Sequence, residues 1–341
     1  MNPYDYSVDE EDGCDGDPCS IPAMTVFDYG QLKAAHDAET KNSQRREALS
    51  RMLKSGPHRR LAVAEPGLMG DLEQLARRQP NCETVIARIR RHIALSLLAE
   101  PRALRWPPLL LDGPPGVGKT YFARALAELL RTPFFMVNCS SVTASFVLGG
   151  NSASWAGSRP GKIADALRDS VVGNPIVLLD EVDKLSGDSR FDGYGPLYQL
   201  LEEDTAKIFE DEHIGVPVDA SQIMWLATSN NPEALPEPIR SRFEVVSINK
   251  PSMADLGAIT QSIYDGLLDR ESGWKKRFAA RLPADVKTAL SGVPPREIRR
   301  MLTGAMGQAA VARSASRSIQ IGLDDLDVGD ERHKAKMGFL A

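Results

Sequence analysis

Leu109-Leu110-Leu111-Asp112-Gly113-Pro114-Pro115-Gly116-Val117-Gly118-Lys119-Thr120 is the stretch on which the fold turns. Three leucines give an apolar run of strand length, and the next eight residues satisfy G-x-x-x-x-G-K-[ST] at every fixed position. Glycines allow such a loop to wrap so that successive backbone N–H groups point inward at a phosphate, and the N-terminus of a following helix adds partial positive charge. Residues 121–131 have the length and spacing of that helix. The pattern recurs by chance in roughly one chain of this length in a hundred, so the flanking strand and helix carry the argument. Gly113, Pro114, Pro115, Gly116, Val117, Gly118, Lys119, Thr120 and Tyr121 form the expected nucleotide-binding set, with Lys119 bridging phosphates and Thr120 ligating Mg²⁺.

Further apolar runs at 134–137, 176–179, 223–227 and 245–248 read as buried strands, separated by helix-length segments such as 121–131 and 161–172. Strands alternating with helices specify an α/β fold, a parallel sheet sandwiched by helices. Beyond Lys250-Pro251 only helices are expected, at 254–268, 284–290 and 295–312, which form a small lid-like domain. Upstream, Val85, Ile86, Ile89, Ile93, Leu97 and Leu98 recur at helical spacing. The expected division is an extension over 1–80, a nucleotide-binding domain over 81–250, a helical domain over 251–326 and a tail over 327–341.

The strand Ile176-Val177-Leu178-Leu179 ends in Asp180-Glu181. Open α/β sheets bind ligands at the carboxyl ends of their strands. Asp180 there suits the Mg²⁺ shell, and Glu181 suits orienting and polarising an attacking water.

These residues resemble the AAA+ ATPases, and within them the ATPase module of Lon proteases. GPPGVGKT is similar to their Walker A motif and IVLLDEVDK to their Walker B. Met224-Trp225-Leu226-Ala227-Thr228-Ser229-Asn230 resembles the sensor 1 strand, which implies that Asn230 addresses the γ-phosphate or the water. Leu235-Pro236-Glu237-Pro238-Ile239-Arg240-Ser241-Arg242-Phe243-Glu244 resembles the segment carrying the arginine finger, implying Arg242, with Arg240 as its rival. A finger must be a permanently charged planar fork. Gly292-Val293-Pro294-Pro295-Arg296-Glu297-Ile298-Arg299-Arg300 is similar to the sensor 2 region and departs from the Lon pattern by its inserted prolines, which leaves Arg296 and Arg299 both open. Ser154-Trp155-Ala156-Gly157-Ser158-Arg159-Pro160-Gly161-Lys162 resembles the Lon pore-loop segment, implying that Trp155 and Ala156 thread polypeptide; local packing of the tryptophan is the competing reading. An aromatic ring grips by buried area and so without reading sequence.

The resemblance spans residues 80–312. It implies a Mg²⁺-dependent ATP hydrolase that remodels or unfolds protein clients in a homo-oligomeric ring, typically a hexamer; a cytoplasmic location is expected separately, from the lack of a signal-peptide pattern and of a membrane-length apolar run. Only twenty-nine residues (341 − 312) follow, so the protease domain of Lon is not expected here, and a separate protease partner stays open. Two alternatives use the same module: a DNA-associated motor, for which Arg88, Arg90, Arg91, Arg102 and Arg105 offer basic side chains, and a low-turnover ATP-gated scaffold. Possession of both Glu181 and Arg242 argues against the scaffold.

Composition sets the outer bounds. The chain has 341 residues, 42% of them apolar and 26% charged, and 41 Lys and Arg stand against 46 Asp and Glu for a net charge of −5. No global positive field points to nucleic acid, and no apolar run nears the roughly 18–20 residues of a membrane span. Cys14, Cys19, Cys82 and Cys139 lack zinc spacing, the five histidines are scattered, and reduced thiols are expected. Residues 1–32 carry eight acids and no Lys or Arg, and read as a solvated tail. Residues 33–60 reverse the sign and look helical until Gly56-Pro57; a solvated helix and a docking arm are both open there.

Overall fold

The computed structural model describes residues 22–141, 145–155, 157–185 and 192–327. Ala156 and the two ends, 1–21 and 328–341, lie outside the described residues. In chain order the elements begin with β1 (Ala23–Thr25), α1 (Tyr29–Ala38), α2 (Ser43–Ser55), β2 (His58–Arg60), α3 (Leu68–Arg78) and α4 (Glu83–Leu98). They continue through β3 (Leu109–Asp112), α5 (Lys119–Leu129), β4 (Phe134–Asn138), α6 (Ser145–Gly149), α7 (Lys162–Asp169) and β5 (Ile176–Asp180). Next come α8 (Gly195–Leu200), α9 (Glu203–Ala206), the short antiparallel pair β6 (Phe209–Glu210) and β7 (Pro217–Val218), β8 (Met224–Ser229), α10 (Glu237–Arg240) and β9 (Glu244–Ser247). Four α-helices follow, α11 (Met253–Leu268), α12 (Ser272–Arg277), α13 (Ala284–Ala289) and α14 (Pro295–Ala312), and a 3-10 turn at Leu323–Asp325 comes after them.

Two compact units form from these elements. Residues 22–72, 87–112 and 120–247 make the first, and 73–86, 113–119 and 248–327 the second. In the first, five parallel strands stand in the order β4-β5-β8-β3-β9. The expected strands are all present, because a parallel sheet covered on both faces needs uninterrupted apolar runs. Leu109, Leu110, Leu111, Ile176, Val177, Leu178 and Leu179 are wholly buried, whereas Met136 and Val245 on the edge strands are exposed. Strand register decides which side chains meet at the end of the sheet. Leu179 pairs with Ala227 and Leu111 with Thr228, so the carboxyl ends of β5 and β3 flank that of β8.

Residues 22–32 differ from the solvated tail expected of them, and residues 33–60 differ from the solvated helix that is one of their two readings. Val26, Phe27, Leu32, Ala48, Leu49 and Met52 are buried in the same apolar core as Val177, Leu179 and Trp225. β1 pairs antiparallel with β2. Asp28 caps α1 through the Gln31 N–H at 2.7 Å, Asn42 caps α2, and α2 stops at Gly56 with φ +72°. The acids of residues 1–32 dominated the composition, yet a few well-spaced apolar side chains suffice to bury this segment.

In the second unit α11, α13 and α14 enclose a core that includes Ile263, Leu267, Val286, Leu290, Ile298 and Leu302. A capping box starts α11: Ser252 Oγ accepts the Asp255 N–H at 3.3 Å and Asp255 Oδ2 accepts the Ser252 N–H at 2.9 Å. Pro295 occupies the first turn of α14, where its missing N–H costs nothing.

Candidate functional site

Between β3 and α5 the phosphate loop is built as its sequence requires. Gly116 and Gly118 take φ of +83° and +100°, a region in which side-chain-bearing residues are strained. Asn81 Nδ2 donates to the Val117 carbonyl at 3.0 Å and fixes the loop from outside. Lys119 is buried at 8% exposure, and its ammonium donates to the Gly113 and Pro114 carbonyls at 2.5 and 3.1 Å. The charge is thereby held over the loop that its own backbone N–H groups line. Tyr121, in the first turn of α5, is exposed.

A polar cluster forms in the first unit where β5 and β8 end. Asp180 Oδ1 accepts two hydroxyls, Thr120 Oγ1 at 2.9 Å and Thr228 Oγ1 at 2.6 Å. Thr228 Oγ1 in turn accepts the Glu181 N–H at 2.9 Å. Glu181 sits at φ +57°, ψ +49°, a left-handed conformation for a residue with a side chain, which costs of order 1 kcal/mol. Such a conformation persists only where its surroundings hold it, here through the hydroxyl of Thr228. Asp183, buried one turn on, accepts the Asn230 N–H at 3.4 Å through Oδ1 and lies 3.6 Å from Lys184 Nζ through Oδ2. Asn230 follows β8 directly, on the residue after Ser229.

Thr120 and Asp180 supply hard oxygen donors whose oxygens are already in contact, which fits Mg²⁺: that ion binds through few protein oxygens and keeps waters and phosphates for the rest. No cluster of three or more His, Cys, Asp or Glu that could hold a metal ion occurs among the described residues. Cys82 and Cys139 are buried free thiols, and burial pushes both up to about 12.

Both finger candidates are engaged. Arg242 Nε makes an ion pair with Glu202 Oε1 at 3.0 Å without hydrogen-bond geometry, its guanidinium lies 5.6 Å from the centre of the Tyr198 ring, and Nη1 donates to the Pro238 carbonyl. Arg240 pairs with Glu233. In the second unit Arg296 is exposed in the first turn of α14, and Arg299 follows one turn later, half-buried. Trp155, 47% exposed, meets the Phe146 ring edge-on at 5.3 Å. Its loop is closed at the base, where Asn151 Oδ1 accepts the Arg159 N–H at 2.8 Å. Thr228 and Asp183 are the members of the site that the sequence reading missed. Their signal was the register of β5 against β8, which no single run of residues displays.

Residues 109–250 match the model of the ATPase family associated with various cellular activities (AAA). The Lon protease of Mycoplasma mycoides is 36% identical over 155 residues, which make up 46% of this chain and 20% of that protein. The peroxisomal Lon protease homolog 2 of Pichia angusta is 41% identical over 146 residues, 42% of this chain and 16% of that protein. The chain thus spans about a fifth or less of the Lon proteases it matches. Among solved structures, the Saccharomyces cerevisiae Hsp104–ADP complex superposes with a TM-score of 0.60 at 17% identity, over 74% of this chain and 40% of that one. No helix among the described residues is long and apolar enough to cross a membrane. From Leu109 to Lys250 the chain matches the AAA ATPase family model, is similar in sequence to the ATPase region of the Lon proteases, and is similar in fold to Hsp104.

Proposed function

We propose that this protein hydrolyses Mg-ATP and uses the energy to remodel or unfold protein substrates in a homo-oligomeric ring, hexameric by analogy with its relatives. The observation that carries the hydrolytic half is the Asp180–Thr228–Glu181 cluster. Thr228 fixes the carboxylate of one acid and the backbone of the other, so their relative placement is set before substrate arrives. In this reading Lys119 and the loop N–H groups bind phosphate, and Thr120 and Asp180 hold Mg²⁺, which neutralises phosphate charge when bound. Glu181 accepts a proton from the water whose oxygen bonds to the γ-phosphorus, while the bond from that phosphorus to the β–γ bridging oxygen breaks and ADP leaves. Asn230 addresses the γ-phosphate, Arg242 reaches a neighbour's nucleotide, and Arg296 acts from the helical lid, residues 251–326.

The exposed Trp155 at the tip of a closed loop supports a protein client, since an indole ring can bury area against any polypeptide. Of the basic side chains offered to the DNA reading, Arg88 is paired with Glu244 and Arg105 with Glu203.

Steady-state hydrolysis by the wild type and by Glu181→Gln, each alone, with casein and with DNA, is the test. Loss of the proton acceptor should lower turnover by about 10²–10⁴-fold with ATP binding retained, and casein should stimulate the wild type. Stimulation by DNA alone, or equal turnover in the two proteins, sinks the proposal.

A further inference from the structure

The loop that carries Trp155 is held from a distant part of the sequence. Asn42, at the start of α2, accepts the N–H groups of Gln44 and Arg45 on Oδ1, both at 3.0 Å. With Oδ1 committed to two donors, its Nδ2 is left to donate, and it does so to the Ala153 carbonyl at 2.5 Å, two residues before Trp155. Arg45, one turn on, spreads its guanidinium over three acceptors: Nε to the His213 carbonyl, Nη2 to the Ile214 carbonyl and Nη1 to Glu39 Oε2, each at 2.9 Å. Glu39 closes the circuit by accepting the Lys41 and Asn42 N–H groups at 3.0 and 2.9 Å.

The segment that Arg45 clamps reaches the other end of the same loop. Asp211, wholly buried, accepts the N–H groups of His213 and Ile214 on Oδ1 at 2.9 and 3.0 Å, and that of Gly161 on Oδ2 at 2.7 Å. Gly161 ends the Trp155 loop and is packed so closely that a Cβ there would fall 2.1 Å from the Leu148 carbonyl. The α1–α2 pair is in turn fixed to the sheet core by Leu32, Leu49 and Met52. Both roots of the loop are therefore anchored, Ala153 directly and Gly161 through Asp211, while the Trp155 ring stays half-exposed.

We propose that Asn42 and Arg45 are positioning residues for the Trp155 loop, so that the N-terminal helix pair is a strut against which the loop bears when it grips a polypeptide. The inference rests on the threading reading of Trp155 above. A grip transmits force only if its roots are rigid while its tip stays exposed, and rigid roots must be supplied by packed elements outside the loop.

Asn42→Asp is the discriminating variant. Aspartate caps a helix as well as asparagine does, so α2 keeps its start, but the donor to Ala153 is gone and a carboxylate faces that carbonyl. Arg45→Lys is the second variant; it keeps the charge beside Glu39 and loses the bidentate hold on His213 and Ile214. Trp106 and Trp225 are buried at 4% and 3% exposure, so in a Trp274→Phe background Trp155 dominates collisional quenching. Release of the loop should raise acrylamide quenching of Trp155 roughly twofold, as a half-exposed ring becomes fully exposed. Casein stimulation should fall to the level of Trp155→Ala, with basal hydrolysis and the thermal midpoint of Asn42→Asp unchanged. Unaltered quenching in both variants overturns the strut whatever the activity does. Casein stimulation that survives Trp155→Ala overturns the threading reading instead, and the quenching then still decides whether the strut exists.

Discussion

Thr228 is the residue on which the candidate site depends most and which looks least like chemistry. Its hydroxyl is buried at 1% exposure, donates to Asp180 and receives the N–H of Glu181. Thr228→Val keeps the shape and removes both bonds, leaving a carboxylate oxygen short of a donor and the Glu181 N–H unpaired at a strained φ. Hydrolysis should drop by roughly 10–100-fold while affinity for ATP, read by fluorescent nucleotide titration, changes little; wild-type turnover in that variant would remove Thr228 from the site. The sequence displayed Asp180 and Glu181 openly because acids ending an apolar run stand out. It did not display Thr228, since threonine inside a β-run reads as ordinary β-propensity, and only the pairing of Leu179 with Ala227 brings it beside the acids.

Among elements, the α1–α2 pair is where the reading as solvated chain and the structure part. Eight acids in residues 1–32 weigh heavily in composition, while Val26, Phe27 and Leu32 weigh little, yet burial is decided by those few side chains. Leu49→Ala should destabilise the protein by about 3 kcal/mol, the usual cost of truncating a fully buried leucine, in urea unfolding; a change of a few tenths would return the pair to the status of a solvated appendage. His213 adds a pH term. Both its ring nitrogens are buried without a hydrogen-bond partner, and burial pulls its pKa below the ordinary 6.5, so the folded protein takes up the ring proton less readily than the unfolded chain does. The unfolded chain takes up that proton first, so this contribution to stability is full above pH 6.5 and is lost as pH falls. Asp211, pushed up to about 6 by burial, works with the opposite sign: its contribution is full below 3.8 and is lost as pH rises through about 6. His213→Leu should therefore stabilise by about 1 kcal/mol at pH 8, where only the unpartnered nitrogens are removed, and by more at pH 5.5. Equal gains at the two pH values would show that the ring does not titrate on unfolding.

At the scale of the molecule, the α/β class and the helical second unit were legible because buried parallel strands and amphipathic helices each impose a period on the chain. Two finger candidates were legible too, but their present partners, Glu202 and Glu233, were not, since ion pairs between surface groups leave no period. If Arg242 serves a neighbouring copy, Lys119→Ala and Arg242→Ala should each be nearly inert alone yet recover activity when mixed. A heterologous ring of equal parts leaves about a quarter of its interfaces with both residues intact. Absence of any recovery in a mixture shown to co-assemble would place Arg242 outside the shared site.

The Arg242–Glu202 pair also bears on how copies would come together. A guanidinium that already has a counter-ion at 3.0 Å does not arrive at a neighbour as naked charge. If Arg242 serves a neighbouring copy, docking is an exchange, in which a nucleotide phosphate displaces a half-exposed carboxylate whose hold is worth no more than about 1 kcal/mol. Without nucleotide next door there is nothing to exchange for, and the arginine stays where it is. Assembly competence would then be gated by the occupancy of the adjacent subunit, with the carboxylate of Glu202 acting as a placeholder for ATP.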